Sequence, residues 1–193
     1  MRPMLPVAFC LAAAVSFGIG AESAKAAAPA WKADKANSKI GFKSAFSGTA
    51  FEGGFSRWDA QINFDPKNLP ASKVVVTVDL ASAMSGDSDR DQALPTADWF
   101  DAAKFPRAVF TTTAIKDLGG GRYQAMGTLS LKGVVRPVTL PFTLQISGDT
   151  AKMTGQAIIN RSQFNVGQGQ FAGADAIPLE VTVPVSVVAR RAN

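Results

Sequence analysis

Most of the chain alternates apolar and polar residues with period two. Ile40 and Phe42 alternate with Lys39, Gly41 and Lys43. Trp58, Ala60, Ile62 and Phe64 alternate with Asp59, Gln61 and Asn63. Val74, Val76 and Val78 take one parity, and Val75, Thr77 and Asp79 the other. Tyr123, Ala125, Leu129 and Leu131 alternate with Gln124, Thr128, Ser130 and Lys132. The pattern returns over Val138 to Ser147 and again over Leu179 to Val187. Such alternation puts every second side chain on one face, so each segment predicts a half-buried strand.

Turn residues separate these segments. Asp65-Pro66-Lys67-Asn68, Gly119-Gly120-Gly121 and Gly148-Asp149 are short connections, which predict antiparallel neighbours. Phe51 and Phe55 share one parity while Trp58 and Ile62 share the other. That switch of face predicts a bulge near Gly53-Gly54 or Ser56. Pro184 sits on the polar parity of the last strand without an N–H to give, so pairing should falter there.

One stretch, Ser85 to Pro106, breaks the pattern with turn residues, two prolines and several acids. Asp87 or Ser88 is placed to cap one short helical turn. Thr96 is placed to cap a second over Ala97 to Ala103, bounded by Pro95 and Pro106. About eight strands with polar-out alternation point to an all-β fold. That strand number closes into a barrel whose interior holds side chains or one small ligand.

The N-terminus reads differently. Arg2 is followed by an apolar run from Leu5 to Ile19 and then by Ala24-Lys25-Ala26-Ala27-Ala28. This is the pattern of a cleaved secretory signal over residues 1–26, leaving residues 27–193 as one domain in the periplasm. The only cysteine, Cys10, falls in the signal, so the remainder has no disulfide, thiol nucleophile or thiolate metal site. Histidine is absent throughout, which excludes a Ser-His-Asp triad and histidine-held haem. The formal charge of +5 loses Arg2, Lys25 and Glu22 with the signal, leaving a scattered +4. No basic stripe with interleaved aromatics suggests nucleic acid.

Several ordered motifs resemble the YceI family. They are NSKIGF at Asn37 to Phe42, FEGGFSRWDAQINFDP at Phe51 to Pro66, and VTVDLAS with DRDQAL and DWFDAAKFPRAVF between Val76 and Phe110. GTLSLKGVVRPVTLPF at Gly127 to Phe142 and NRSQFNVGQG at Asn160 to Gly169 complete the set. The resemblance covers Trp31 to about Ala189. It implies an eight-stranded antiparallel lipocalin-like barrel with a short helical insert, and a pore for a polyisoprenoid, quinone tail or fatty acyl lipid. Relatives often carry histidine where this chain has Asn37 and Lys132, so a role resting on those histidines does not carry over.

A pore for a chain lipid needs aromatic and aliphatic walls and no catalytic group. The candidate lining is Phe42, Phe46, Phe55, Trp99, Phe100, Phe105, Phe110, Leu129, Leu131, Phe142, Leu144, Phe164 and Phe171, against the plain alternative of core packing for each. Arg161 is a candidate contact for an anionic head group, against a structural pairing with a carboxylate. Asp87, Asp89 and Asp91 have the early spacing of a calcium loop, but Gln92 and Asp98 stand where it needs Gly and Glu, so no metal is expected. No catalytic residue and no resident cofactor is expected either. The leading function is therefore a carrier for an apolar lipid or quinone. The alternatives are a structural or interaction protein with a self-filled barrel, and an enzyme acting on lipid head groups. Contact with the membrane or a membrane redox protein, and a homodimer, are left open as partners.

Overall fold

The computed structural model describes residues 27–192. The expected signal and Cys10 lie outside the described residues. Eleven strand segments form one sheet, with the order β1-β4-β5-β7-β8-β9-β10-β11-β2-β3-β6. The first three are β1 (Ala30–Ala33), β2 (Lys39–Phe46) and β3 (Thr49–Phe55). Next come β4 (Trp58–Asn63), β5 (Lys73–Asp79) and β6 (Ala83–Met84). The long strands are β7 (Arg107–Gly119), β8 (Arg122–Leu131), β9 (Val134–Ser147), β10 (Thr150–Asn160) and β11 (Glu180–Arg191).

β1 and β2 follow one another along β11, interrupted by a 3-10 turn at Lys35–Asn37. β3 and β4 are likewise one bent strand, and β6 continues the line of β5. Pairing of β1 with β11, Trp31 opposite Arg191, closes the sheet. The result is a closed antiparallel barrel of eight strands, the form the alternation predicts. Closure through β1 and β11 removes the two edge strands that an open sheet would present.

Local chemistry accounts for the joints. Gly119, Gly120 and Gly121 all have positive φ, which lets β7 turn directly into β8. The break between β3 and β4 falls at Ser56 and Arg57. There the N–H groups of Ser56 and Arg57 donate to the Ser82 carbonyl and hydroxyl, at 3.2 and 3.0 Å. The bulge expected near Ser56 is thus held by the segment beneath it. β11 pairs with β10 throughout, but its pairing with β2 skips Val183 and Pro184. The weakness expected at Pro184 is confined to one side of the strand.

The insert contains one helical turn, α1 (Ser88–Ala93), capped by the Asp87 side chain, which accepts from the Arg90 N–H at 3.0 Å. The second helix expected at Ala97 to Ala103 is not formed. Thr96 donates its hydroxyl to the Ala93 carbonyl, and the Phe100 and Ala102 N–H groups reach back to the Leu94 and Pro95 carbonyls. These non-helical bonds wind the segment into successive turns that aim Phe100 inward.

Two apolar layers fill the barrel ends. At the insert end lie Phe42, Leu80, Leu94, Phe100, Leu131 and Phe164. At the end carrying the glycine turns lie Trp31, Phe64, Ile115 and Tyr123.

Candidate functional site

Between the two layers is an internal cavity of about 210 Å³. Its wall draws on inward positions around the barrel, among them Trp31, Ile40, Trp58, Ile62, Val76, Phe110, Leu129, Leu140, Phe142 and Val185. Among the described residues, Thr112 is the only one in the wall whose side chain carries a hydroxyl, an amide or a charge. Its hydroxyl is spent on the neighbouring strand, accepting from the Val74 N–H at 2.8 Å and donating to the Val74 carbonyl at 3.3 Å. The cavity therefore offers a ligand no hydrogen bond and no charge. An apolar cavity of ~150 Å³ holds a benzene ring. This one takes a ring or a short stretch of chain as it stands, and a long tail requires its side chains to spread.

The expected lining residues divide by level along the barrel axis. Phe110, Leu129, Phe142 and Leu144 line the cavity. Phe42, Phe100, Leu131 and Phe164 are buried in the insert-end layer instead, with Phe55 and Trp99 packed against it. Phe42 meets Phe55 edge to face, and Phe55 meets Phe100, with ring centroids 5.5 and 6.1 Å apart. Trp99 lies against Phe171 at 5.3 Å, and neither is in the cavity wall. Phe105 covers Gly133 at the β8–β9 turn. Phe46 is 46% exposed near the end of β2, outside the barrel interior. Its parity is inward, but the strand has already passed the rim.

The head-group expectation for Arg161 is corrected by its geometry. Arg161 is 3% exposed, and among the described residues no carboxylate pairs with it. Nε donates to the Pro178 carbonyl at 3.0 Å. Nη1 donates to the Val166 and Gly167 carbonyls at 3.0 and 3.1 Å, and Nη2 to those of Gly173 and Ile177 at 2.7 and 2.8 Å. All five N–H donors of a guanidinium are thereby used. Burial lowers its pKa, and its work is to fold residues 162–178 over the barrel end. The carboxylates at the calcium-like spacing are also engaged. Asp87 caps α1, and Asp91 accepts from the Ser85 N–H and hydroxyl at 2.6 and 2.7 Å.

The expected lining omits Trp31, Trp58, Phe64, three valines of β5 (Val74, Val76, Val78) and three of β11 (Val183, Val185, Val187), all of which line the cavity. Their inward parity was visible. Parity applied to every strand is the signal that finds them.

The geometry, a closed eight-stranded barrel around a wholly apolar cavity, is that of a small-ligand binding barrel. The YceI-like domain model matches residues 31–189, and the chain belongs to that family. A UPF0312 protein of Vibrio vulnificus (strain YJ016) is 39% identical over 106 residues, which are 54% of this chain and 56% of that protein. A UPF0312 protein of Pseudomonas syringae pv. tomato is 29% identical over 74% of this chain and 78% of its own. The chain thus spans little more than half the length of the first of these relatives. Among solved structures, Burkholderia cenocepacia BcnA is similar at a TM-score of 0.78 and 34% identity, covering 81% of this chain and 99% of BcnA. A polyisoprenoid binding domain from Saccharophagus degradans shares the fold at a TM-score of 0.68 and 18% identity, over 85% of this chain and 99% of that domain.

Proposed function

We propose that this protein is an exported carrier that holds an apolar ligand, a prenyl, quinone-tail or fatty acyl chain, inside its barrel. The observation that carries the reading is the cavity itself, whose one polar wall residue, Thr112, is turned into the sheet. A chain segment burying ~200 Å² there gains ~5 kcal/mol before the costs of ordering it. Hydrogen-bonding solutes gain nothing and lose their hydration. The likeness to a polyisoprenoid binding domain supports the prenyl class. The signal-like N-terminus supports export to the periplasm.

The test is native mass spectrometry of the protein purified from its own cell envelope, followed by solvent extraction. The expected result is a discrete adduct with a prenyl or acyl mass that the solvent removes. A clean apo mass, with no uptake of ubiquinone, geranylgeraniol or palmitate when each is offered, would overturn the reading and leave a self-filled barrel.

A further inference from the structure

The barrel wall is not equally tight all round. β9 and β10 leave their hairpin paired residue by residue, but the ladder ends at Phe142 opposite Gly155. Beyond it, residues 134–141 of β9 pair only with β8, and residues 156–160 of β10 pair only with β11. Among the described residues, no ladder pair and no side-chain hydrogen bond joins these two stretches.

The sequence itself forbids the ladder. In an antiparallel pair, successive residues of a strand direct their N–H and C=O to alternate neighbours. The Leu144 N–H donates to the Gly121 carbonyl on the β8 side, and the β8–β9 register is unbroken back to Val134. Odd-numbered residues of β9 therefore face β10. Pro141 and Pro137 are two of them, and neither has an N–H to give. At the last pair, a Cβ on Gly155 would stand 2.5 Å from the Pro141 carbonyl and 2.7 Å from the Phe142 Cβ. The strands are in close contact at that vertex, and their ladder ends with it.

The seam lies against the cavity. Val138 and Leu140 on one bank, and Ala157 and Ile159 on the other, all line it. On the outer face the banks carry Val135 and Ile158, which are 55% and 61% exposed. Apolar side chains thus stand on both faces of the seam, outside and against the cavity.

The other routes are barred by bonds that must break. At the glycine-turn end, Trp31 Nε1 donates to the Phe64 carbonyl at 2.9 Å, Phe64 meets Tyr123 edge to face, and Tyr123 stacks on Phe142. At the insert end, Lys132 Nζ donates to the Ala97 and Asn165 carbonyls at 2.6 and 2.7 Å, and the Gly167 and Gln168 N–H groups both donate to the Asp98 carbonyl at 2.8 Å. The junction of the 3-10 turn Lys35–Asn37 with β4 also lacks a ladder, but Lys35 spans it to Asp59 at 3.0 Å and lies over Trp58. Parting β9 from β10 breaks no such bond.

We propose that the apolar ligand enters and leaves the barrel sideways, through the seam between β9 and β10, rather than through either end. This rests on the reading of the cavity as an apolar ligand site. The prolines then have a second effect: they remove two donors from the β9 bank, which leaves a foreign strand less to pair with there.

The experiment bridges the seam from outside. Residues 27–193 contain no cysteine, so Thr139→Cys with Ile158→Cys supplies a lone pair of thiols on outward positions, joined by a short bis-maleimide after folding. Uptake of the fluorescent apolar probe 1-aminoanthracene is followed by stopped flow, the bridged protein being compared with the same protein unbridged. Bridging is expected to slow uptake ~10-fold or more while leaving final occupancy unchanged, as for any closed gate. Lys132→Met, which frees the insert, is expected to leave the rate unchanged. Equal rates with and without the bridge, or faster uptake by Lys132→Met, would overturn the seam and keep the cavity. Failure of the unaltered protein to take up the probe would overturn both.

Discussion

The ring of Phe110 lies over the backbone of Gly127 on the adjacent strand. A Cβ on Gly127 would stand 2.8 Å from Cε2 and Cζ of that ring, and closer still to the Thr111 carbonyl. The same arrangement recurs at Phe42 over Gly53. In each case an aromatic from one strand covers the gap left by a glycine on its neighbour, which pins the register and leaves room within the wall.

That relationship predicts the effect of Gly127→Ala. The Thr111 carbonyl is backbone and cannot yield cheaply, and the Phe110 ring can only move toward the cavity. Overpacking of this kind costs ~1–3 kcal/mol. The expected result is a lowered midpoint in urea and a weaker uptake of apolar probe than the loss of stability alone accounts for. Unchanged stability would mean the strands slide past one another freely here.

Arg161→Met removes five charge-assisted hydrogen bonds and leaves the carbonyls of residues 166, 167, 173, 177 and 178 without that donor. Losing such a network costs ~3–5 kcal/mol even when some carbonyls find water. Arg161→Lys keeps the charge but has only three donors on one nitrogen, so it should recover only part of the loss. Denaturant unfolding of the two variants checks the order. If Arg161 held a ligand head group instead, Met would reduce binding and spare stability.

How far the sequence disclosed this follows from what alternation encodes. It marks which side of a strand faces inward, and Val138, Leu140, Phe142 and Leu144 all do. It does not encode the stagger between strands, which fixes the level a residue reaches along the barrel axis. Leu129 therefore lines the cavity while Leu131, two positions on with the same parity, is buried in the insert-end layer. Arg161 was chosen for its charge, but its partners are carbonyls of a loop whose path is set only in three dimensions. Pro137 and Pro141 were plain to see, and their meaning depends on the register set by the Lys132-Gly133 turn. Both turn residues have positive φ, at 49° and 75°.

Ala60→Phe tests whether the cavity is the binding site without introducing a buried charge. Ala60 lines the cavity on β4, opposite Val76 of β5. A phenyl group there projects into free space rather than into packed atoms, so stability should change by no more than ~1–2 kcal/mol. Probe uptake and any co-purified lipid should fall sharply. A folded Ala60→Phe protein that retains its lipid would place the ligand elsewhere.

The last prediction concerns acid. Asp91 accepts hydrogen bonds from the Ser85 hydroxyl and N–H, which tie the start of the insert to α1. The Ser85 hydroxyl contributes most to holding its pKa below the usual carboxylate value. Burial works the other way, while the Ser85 and Gly86 N–H groups and the nearby Arg90 charge add to the lowering. With the folded pKa depressed, the unfolded segment binds more protons as pH falls, so stability rises with pH in this window. The contribution is therefore full above the ordinary carboxylate range and is lost as pH falls through the depressed value. Asp79, held down chiefly by its hydrogen bond from Arg57, titrates with the same sign nearby. Asp91→Asn separates the two. Amide exchange over residues 85–94, corrected for intrinsic rates, should show protection that falls with acid in the native protein. In Asp91→Asn it should be low already at neutral pH. Equal protection in the two at neutral pH would mean that Phe100 and Leu94, rather than Asp91, hold the insert in place.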